Sequence, residues 1–211
     1  MHQLNRPPAP LCLNRYRHGQ NNWGDVKSNE KTEIWAGLNE MQSNRCAYCE
    51  CAIRTGRDNH HAHIEHFRQR SCHPQGTFDW YNLFGSCNRA DSCGKHKDKQ
   101  TYNHYDLIKV DQENPEHYFR FEPDGQVVPA DNLEPHEIQR AKATIRVFNL
   151  NGSLRQIRKT YVKGYQQTAE ELLGFAEIFD EEDWRPLLEQ ELQAIAGQPF
   201  ETAIRHVLQI A

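Results

Sequence analysis

Apolar positions recur at helical spacing before and after a central stretch in which no period holds. Ile34, Trp35, Leu38 and Met41 fall on one face of a helix that Ser28 is placed to cap. Ile138, Ala141, Ile145 and Phe148 make a second stripe, opening near Glu134 and closing at Asn149-Leu150-Asn151-Gly152, a stop signal. Three further helices are expected: Ser153 to Phe179, one carrying Trp184, Leu187, Leu188, Leu192 and Ile195 up to Gly197-Gln198-Pro199, and Phe200 to Ile210. Between them, Tyr118–Phe121 and Gln126–Val128 flank Pro123-Asp124-Gly125, which reads as a hairpin because Asp-Gly favours the tight turn. Residues up to about Asp25 are rich in Pro, Asn and Arg and predict an extended arm. The fold class is therefore α+β, with four regions: an N-terminal arm and helix (1–45), an irregular core (46–105), a β-hairpin connector (106–130) and a C-terminal helical region (131–211).

A chain of 211 residues supports one or two compact domains. No segment is apolar enough to cross a membrane, and Met1-His2-Gln3-Leu4-Asn5-Arg6 lacks the apolar run of a secretion signal, so a cytoplasmic protein is expected. The formal net charge of −4 hides a segregation. Arg140, Lys142, Arg146, Arg155, Arg158, Lys159 and Lys163 crowd one stretch, and Glu170, Glu171, Glu177, Asp180, Glu181, Glu182 and Asp183 follow it. Arg155, Arg158, Lys159 and Lys163 share one helix face, which is expected either to follow a phosphate backbone or to stand solvated or against an acidic partner.

Cysteine and histidine change the picture most. The chain has 7 cysteines and 12 histidines, and most of both fall between Cys46 and His104. Cys46-Ala-Tyr-Cys49 is a Cys-x-x-Cys knuckle, whose spacing lets two thiolates face one ion. Cys87 and Cys93 are the second pair expected to complete a structural zinc site, with Cys51 and Cys72 as spares. The competing readings are small buried hydrophobes or a redox pair, but redox pairs open a helix inside a βαβ unit, and no such pattern surrounds Cys46.

Between the two pairs lie His60-His61-Ala62-His63-Ile64-Glu65-His66-Phe67-Arg68 and Trp80-Tyr81-Asn82-Leu83-Phe84-Gly85-Ser86-Cys87, followed by Cys93-Gly94-Lys95-His96-Lys97-Asp98. The order Cys-x-x-Cys, Glu-His, Asn-Leu, Cys…Cys, His resembles the HNH nucleases. That resemblance implies a zinc-stabilised ββα-metal core in which a strand pair and a helix hold a catalytic cation, magnesium or manganese. It implies His66 as general base, Glu65 and His96 as ligands of that cation, and Asn82 holding the loop that orients His66. Asn88, directly after Cys87, is the alternative to His96. A strand through this segment would put His61 and His63 on the side of Glu65, so His63 is a further candidate ligand.

Arg6-Pro-Pro-Ala-Pro-Leu11, Trp23, Ile64-Glu-His-Phe-Arg68 and Ala143-Thr-Ile-Arg-Val-Phe-Asn-Leu-Asn151 extend the likeness to nearly the whole chain. Together they are similar to the PtuB-type HNH subunits of Septu anti-phage systems, some carried by retrons. Gln69 departs from the proline usual after Phe-Arg in that family. The resemblance implies a PtuA-type ATPase partner, in retron versions a reverse transcriptase with its reverse-transcribed DNA, and a DNA or tRNA substrate. The rival expectation is a non-catalytic zinc module that binds nucleic acid or protein on a degenerate HNH scaffold.

Overall fold

The computed structural model describes residues 1–53 and 61–209. His60 and the expected end of the last helix at Ile210 lie outside them. The elements run α1 (Ser28–Gln42), β1 (Ala62–His66), β2 (Leu83–Cys87), α2 (Cys93–Lys97), α3 (Pro115–Tyr118), β3 (Phe119–Phe121), β4 (Val127–Pro129), α4 (Pro135–Val147), α5 (Ser153–Ile178), α6 (Glu181–Ala194) and α7 (Glu201–Leu208). The chain is thus a mixed α+β protein, mostly helical, with two small two-stranded sheets.

The N-terminal helix forms where its apolar face predicts, burying Ile34, Trp35, Leu38 and Met41. Its cap is Lys27 rather than Ser28, because the Glu30 carboxylate accepts the Lys27 N–H at 3.0 Å and closes the first turn from inside. The preceding segment is not a free arm. Met1, Leu4, Cys12 and Leu13 are buried in the core, and two short 3₁₀ turns, Leu11–Arg15 and Trp23–Asp25, replace the expected extended chain. Apolar residues too sparse to show a period still find the core one at a time.

β1 and β2 pair antiparallel, with Ala62 opposite Cys87, Ile64 opposite Gly85 and His66 opposite Leu83. Side chains alternate across such a pair, so Ala62, Ile64, His66, Leu83, Gly85 and Cys87 share one face, and His63, Glu65, Phe84 and Ser86 the other. α1 lies on the first face at Gly85, where a Cβ would stand 2.8 Å from the Trp35 ring. The buried Gln42 amide accepts the Gly85 N–H and donates to the Gly85 carbonyl, both at 2.8 Å, so helix and strand are hydrogen-bonded as well as packed.

α2 lies on the second face. The end of α4 holds its start: Cys93 N–H donates to the Phe148 carbonyl at 2.8 Å, and Asn149 reaches the Asp91 carbonyl at 2.7 Å. The β3–β4 hairpin turns at Gly125, φ +82°, a left-handed position. It also presses against α5, since a Cβ there would meet the Arg155 carbonyl at 2.2 Å.

The C-terminal helices depart from expectation in two ways. The stripe through Trp184, Leu187, Leu188 and Leu192 is only half-covered: no residue of α6 is fully buried, and Leu187 is 42% exposed. The four basic residues of α5 also do not form one continuous exposed row. Arg158 is buried, donating to the Leu150 carbonyl at 3.2 Å and to the Gly125 carbonyl, while Arg155 pairs with Asp124. A buried guanidinium whose two terminal nitrogens donate to backbone carbonyls ties the hairpin to the helix and leaves Lys159 and Lys163 without a continuous basic row. No helix among the described residues is long and apolar enough to cross a membrane.

Candidate functional site

The thiols of Cys46, Cys49, Cys87 and Cys93 converge, all within 4.8 Å of one another and all buried. A tight turn after α1 presents the first two: Glu50 N–H closes on the Cys46 carbonyl at 3.0 Å, with Glu50 left-handed at φ +63°. Ala47 N–H hangs this turn on the Gly85 carbonyl of β2. Cys87 ends β2 and Cys93, left-handed at φ +54°, opens α2. Cys49 and Cys87 Sγ stand 3.9 Å apart, close to the roughly 3.8 Å edge of a zinc–thiolate tetrahedron. The donor set therefore fits a structural zinc. Burial disfavours the Cys46 thiolate, yet hydrogen bonds from the surrounding thiols hold its pKa well below the usual thiol range. Of the spares, half-buried Cys51 lies 3.2 Å from Cys49, while Cys72 is exposed beside Gln69.

On the face of the sheet that α2 covers, Glu65 is fully enclosed. Tyr48 donates its hydroxyl to one carboxylate oxygen, and the Lys97 ammonium stands 2.7 Å from the other, with both side chains sealed from solvent. Lys97 also donates to the His66 carbonyl at 3.0 Å and meets Asp98 and the Tyr102 hydroxyl. Burial pushes the Glu65 carboxyl above its ordinary range, against Lys97 and Tyr48, which favour its charge. Burial likewise opposes the Lys97 charge, but Glu65, Tyr102 and Asp98 together more than compensate. Lys97 thus sits where a cation on Glu65 would sit. A divalent ion there would have to displace a buried ammonium, so this arrangement does not fit one.

His96 serves α4. Its Nδ1 donates to the Val147 carbonyl at 2.9 Å, satisfying one of that helix's terminal acceptors and leaving Nε2 as the lone-pair nitrogen. His63 comes nearer to Glu65. Its Nε2 stands 2.9 Å from where a Cβ on Gly94 would be, a position that also meets the Glu65 Cγ. The His63 Nδ1 is buried and has no hydrogen-bond partner among the described residues. His61 precedes the strand and accepts the Asn88 N–H on its carbonyl, and Asn88 lines a cavity beside Cys51 and Cys87.

His66 faces the other side of the sheet from Glu65. Its Nε2 donates to the Thr77 carbonyl at 3.0 Å, which assigns the lone pair to Nδ1, and its ring packs edge-on against Trp23 at 4.6 Å. Burial lowers its pKa to about 4, with Arg70 and Lys97 adding to the shift, so the imidazole is neutral at physiological pH. Asn82 is buried and clamps the loop after β1. It accepts the Arg68 N–H at 2.7 Å and donates to the Gly76 carbonyl at 2.9 Å, one residue before the carbonyl that holds His66.

Sequence reasoning named Lys97 only as a neighbour of His96 and did not single out Tyr48, Thr77 or Arg70. Tyr48 inside the knuckle and Lys97 one turn after Cys93 were readable as its flanks, but nothing in their spacing indicated that both would close on Glu65.

Four thiols pinning an antiparallel strand pair to a short helix, within a mostly helical chain, define a cysteine-stapled α+β protein. No family model matches the chain. Septu protein PtuB of Bacillus thuringiensis is 27% identical over 192 residues, covering 85% of this chain and 67% of its own length. The chain is a homologue of that protein.

Proposed function

We propose that this chain is the nuclease component of a Septu-type anti-phage system, hydrolysing phosphodiester bonds in nucleic acid with His66 as the general base and a PtuA-type ATPase as its partner. The observation that carries it is the state of His66: a neutral ring at the end of β1, fixed by the Thr77 carbonyl, with its lone pair on Nδ1. In that form an imidazole takes the proton of an attacking water. A pKa near 4 makes it a weak base alone, but a bound phosphodiester anion would raise it toward the range where proton transfer is efficient. Asn82 acts through position, holding the loop that carries the Thr77 carbonyl. The four-cysteine staple fixes the frame.

A second reading has its own support. The closed Glu65–Lys97 pair is what a degenerate HNH scaffold would show, retaining zinc but binding nucleic acid or protein without cutting it. The two readings separate in one series. His66→Ala is expected to abolish cleavage of DNA and of tRNA by the zinc-loaded chain, alone and with the ATPase, while zinc content and folding are kept. Undiminished cleavage by the variant would remove His66 from its role, and no cleavage by the wild type in any assembly would favour the binding module. Manganese titration followed by electron paramagnetic resonance, on the wild type and on Lys97→Met, tests whether Lys97 yields Glu65 to the magnesium or manganese that the HNH resemblance implies. Sequencing the nucleic acids cut in cells tells DNA from tRNA.

A further inference from the structure

The segment His18–Gly24 arches over the outer side of His66 and meets the loop carrying Arg70, Pro74 and Thr77 across a cavity of about 390 Å³. Hydrogen bonds within the segment shape it: the Gln20 and Asn21 N–H groups close on the Arg17 carbonyl, and the Asn21 side chain accepts the Arg17 N–H. Thr77, whose carbonyl holds the His66 ring, and Trp23, which packs against that ring, both line the cavity. Its wall therefore adjoins the imidazole assigned above as base.

The charge in this cavity is distinctive. Arg68, two residues earlier, is neutralised by Asp79 at 2.6 Å. Arg70 has no carboxylate partner among the described residues, and its positive field reaches His66. Among the described residues the lining holds no carboxylate, and Gln20 and Asn22 offer amides. A second cavity, of about 360 Å³, is also rich in cations and aromatic rings, but Arg68, Lys109 and Arg140 there are already paired with Asp79, Asp111 and Glu113. Of these two cavities, as the described residues line them, the first alone offers an uncompensated cation, an indole and amides together. One cation suits one phosphate, an indole suits one base face, and the volume lies at the small end of ligand pockets, roughly 300–1,000 Å³.

From this juxtaposition we infer that the cavity receives an unpaired nucleotide of the substrate, its phosphate on Arg70 and its base against Trp23, making single-stranded nucleic acid the substrate class. The inference rests on the nuclease reading, and deepens it by naming what His66 faces. A duplex keeps its bases stacked on one another and has none to offer Trp23.

The test is binding of a fluorescein-labelled 12-nucleotide oligothymidylate, and of a 12-base-pair duplex, to the zinc-loaded full chain without added divalent cation, read by anisotropy. Arg70→Ala and Trp23→Leu are each expected to weaken single-strand binding about tenfold and to leave duplex binding unchanged. Arg146→Ala, which removes an exposed arginine away from the cavity, is expected to change it less than twofold. Wild-type single-strand affinity in Arg70→Ala overturns the inference, as does duplex binding as tight as single-strand binding. Arg70 is exposed, so its variant carries the test even where Trp23→Leu disturbs packing. Binding requires no cleavage, so the two claims fail separately: undiminished cleavage in His66→Ala sinks the base, while unchanged oligothymidylate affinity in Arg70→Ala sinks the nucleotide site.

Discussion

Two charged clusters hang on one strand pair, and they are built in opposite ways. At the knuckle, four thiols crowd together and, among the described residues, no ammonium or guanidinium hydrogen-bonds to any of them, although the buried Arg158 charge is felt at Cys49 and Cys93, so the cluster is open to a metal. At Glu65, the carboxylate already has its cation, the Lys97 ammonium, and a phenol as well. Both clusters are dry, and both involve α2, through Cys93 and Lys97. The difference teaches that metal-ligand residue types in the right order do not by themselves make a metal site. What decides is whether the fold leaves the charge unbalanced.

The contrast breaks most readily at the knuckle. Cys46→Ser or Cys93→Ser should unfold the region outright, because structural zinc sites in small domains supply about 10–16 kcal/mol of apparent binding energy to folding. Metal analysis and thermal melts followed by circular dichroism check this, and a zinc-free variant with an unchanged melting temperature would refute it.

Next comes the internally balanced cluster. Lys97→Met leaves Glu65 buried without its partner and should cost about 3–5 kcal/mol in urea unfolding. Adding Glu65→Gln should recover more than half of that loss, since the uncompensated charge goes with it. If the double variant is as unstable as the single, packing rather than charge is what Lys97 contributes.

The smallest effect is that of pH on His66. Folding lowers its pKa from 6.5 to about 4, so the folded state resists the proton that the unfolded chain takes up. Its contribution is fully present above pH 6.5 and is lost as pH falls toward 4, amounting to about 3 kcal/mol. Urea unfolding between pH 7 and pH 4 should show this limb, and His66→Gln should flatten it. An equal slope in the variant would place the acid sensitivity in other groups.

Much of the architecture was legible in the sequence for physical reasons. The amphipathic spacing of Ile34, Trp35, Leu38 and Met41 and of Ala141 and Phe148 gave two helices, and Asp124-Gly125 gave the hairpin. The four-cysteine cluster was readable because thiols have few other uses in such a grouping, even with the wide Cys87–Cys93 spacing. Strand alternation on β1 was available too, and it sends Glu65 and His66 to opposite faces. What remained hidden depends on which distant segments meet. Spacing along α5 cannot reveal that Arg158 turns inward to a hairpin carbonyl, and the composition of residues 1–25 gives no hint that Trp23 closes on His66. The identities of Glu65 and Lys97 do not predict that each answers the other.

Glu50 has a consequence for handling the protein. This buried carboxylate, next to Cys49 of the four-cysteine cluster, accepts hydrogen bonds from the Thr202 backbone and hydroxyl and contacts the His2 ring. Positions 2 and 202 are thus fastened to one anchor beside the knuckle. Displacing either segment would be felt first as altered metal retention, so a preparation's zinc stoichiometry reports on whether both segments are seated on Glu50.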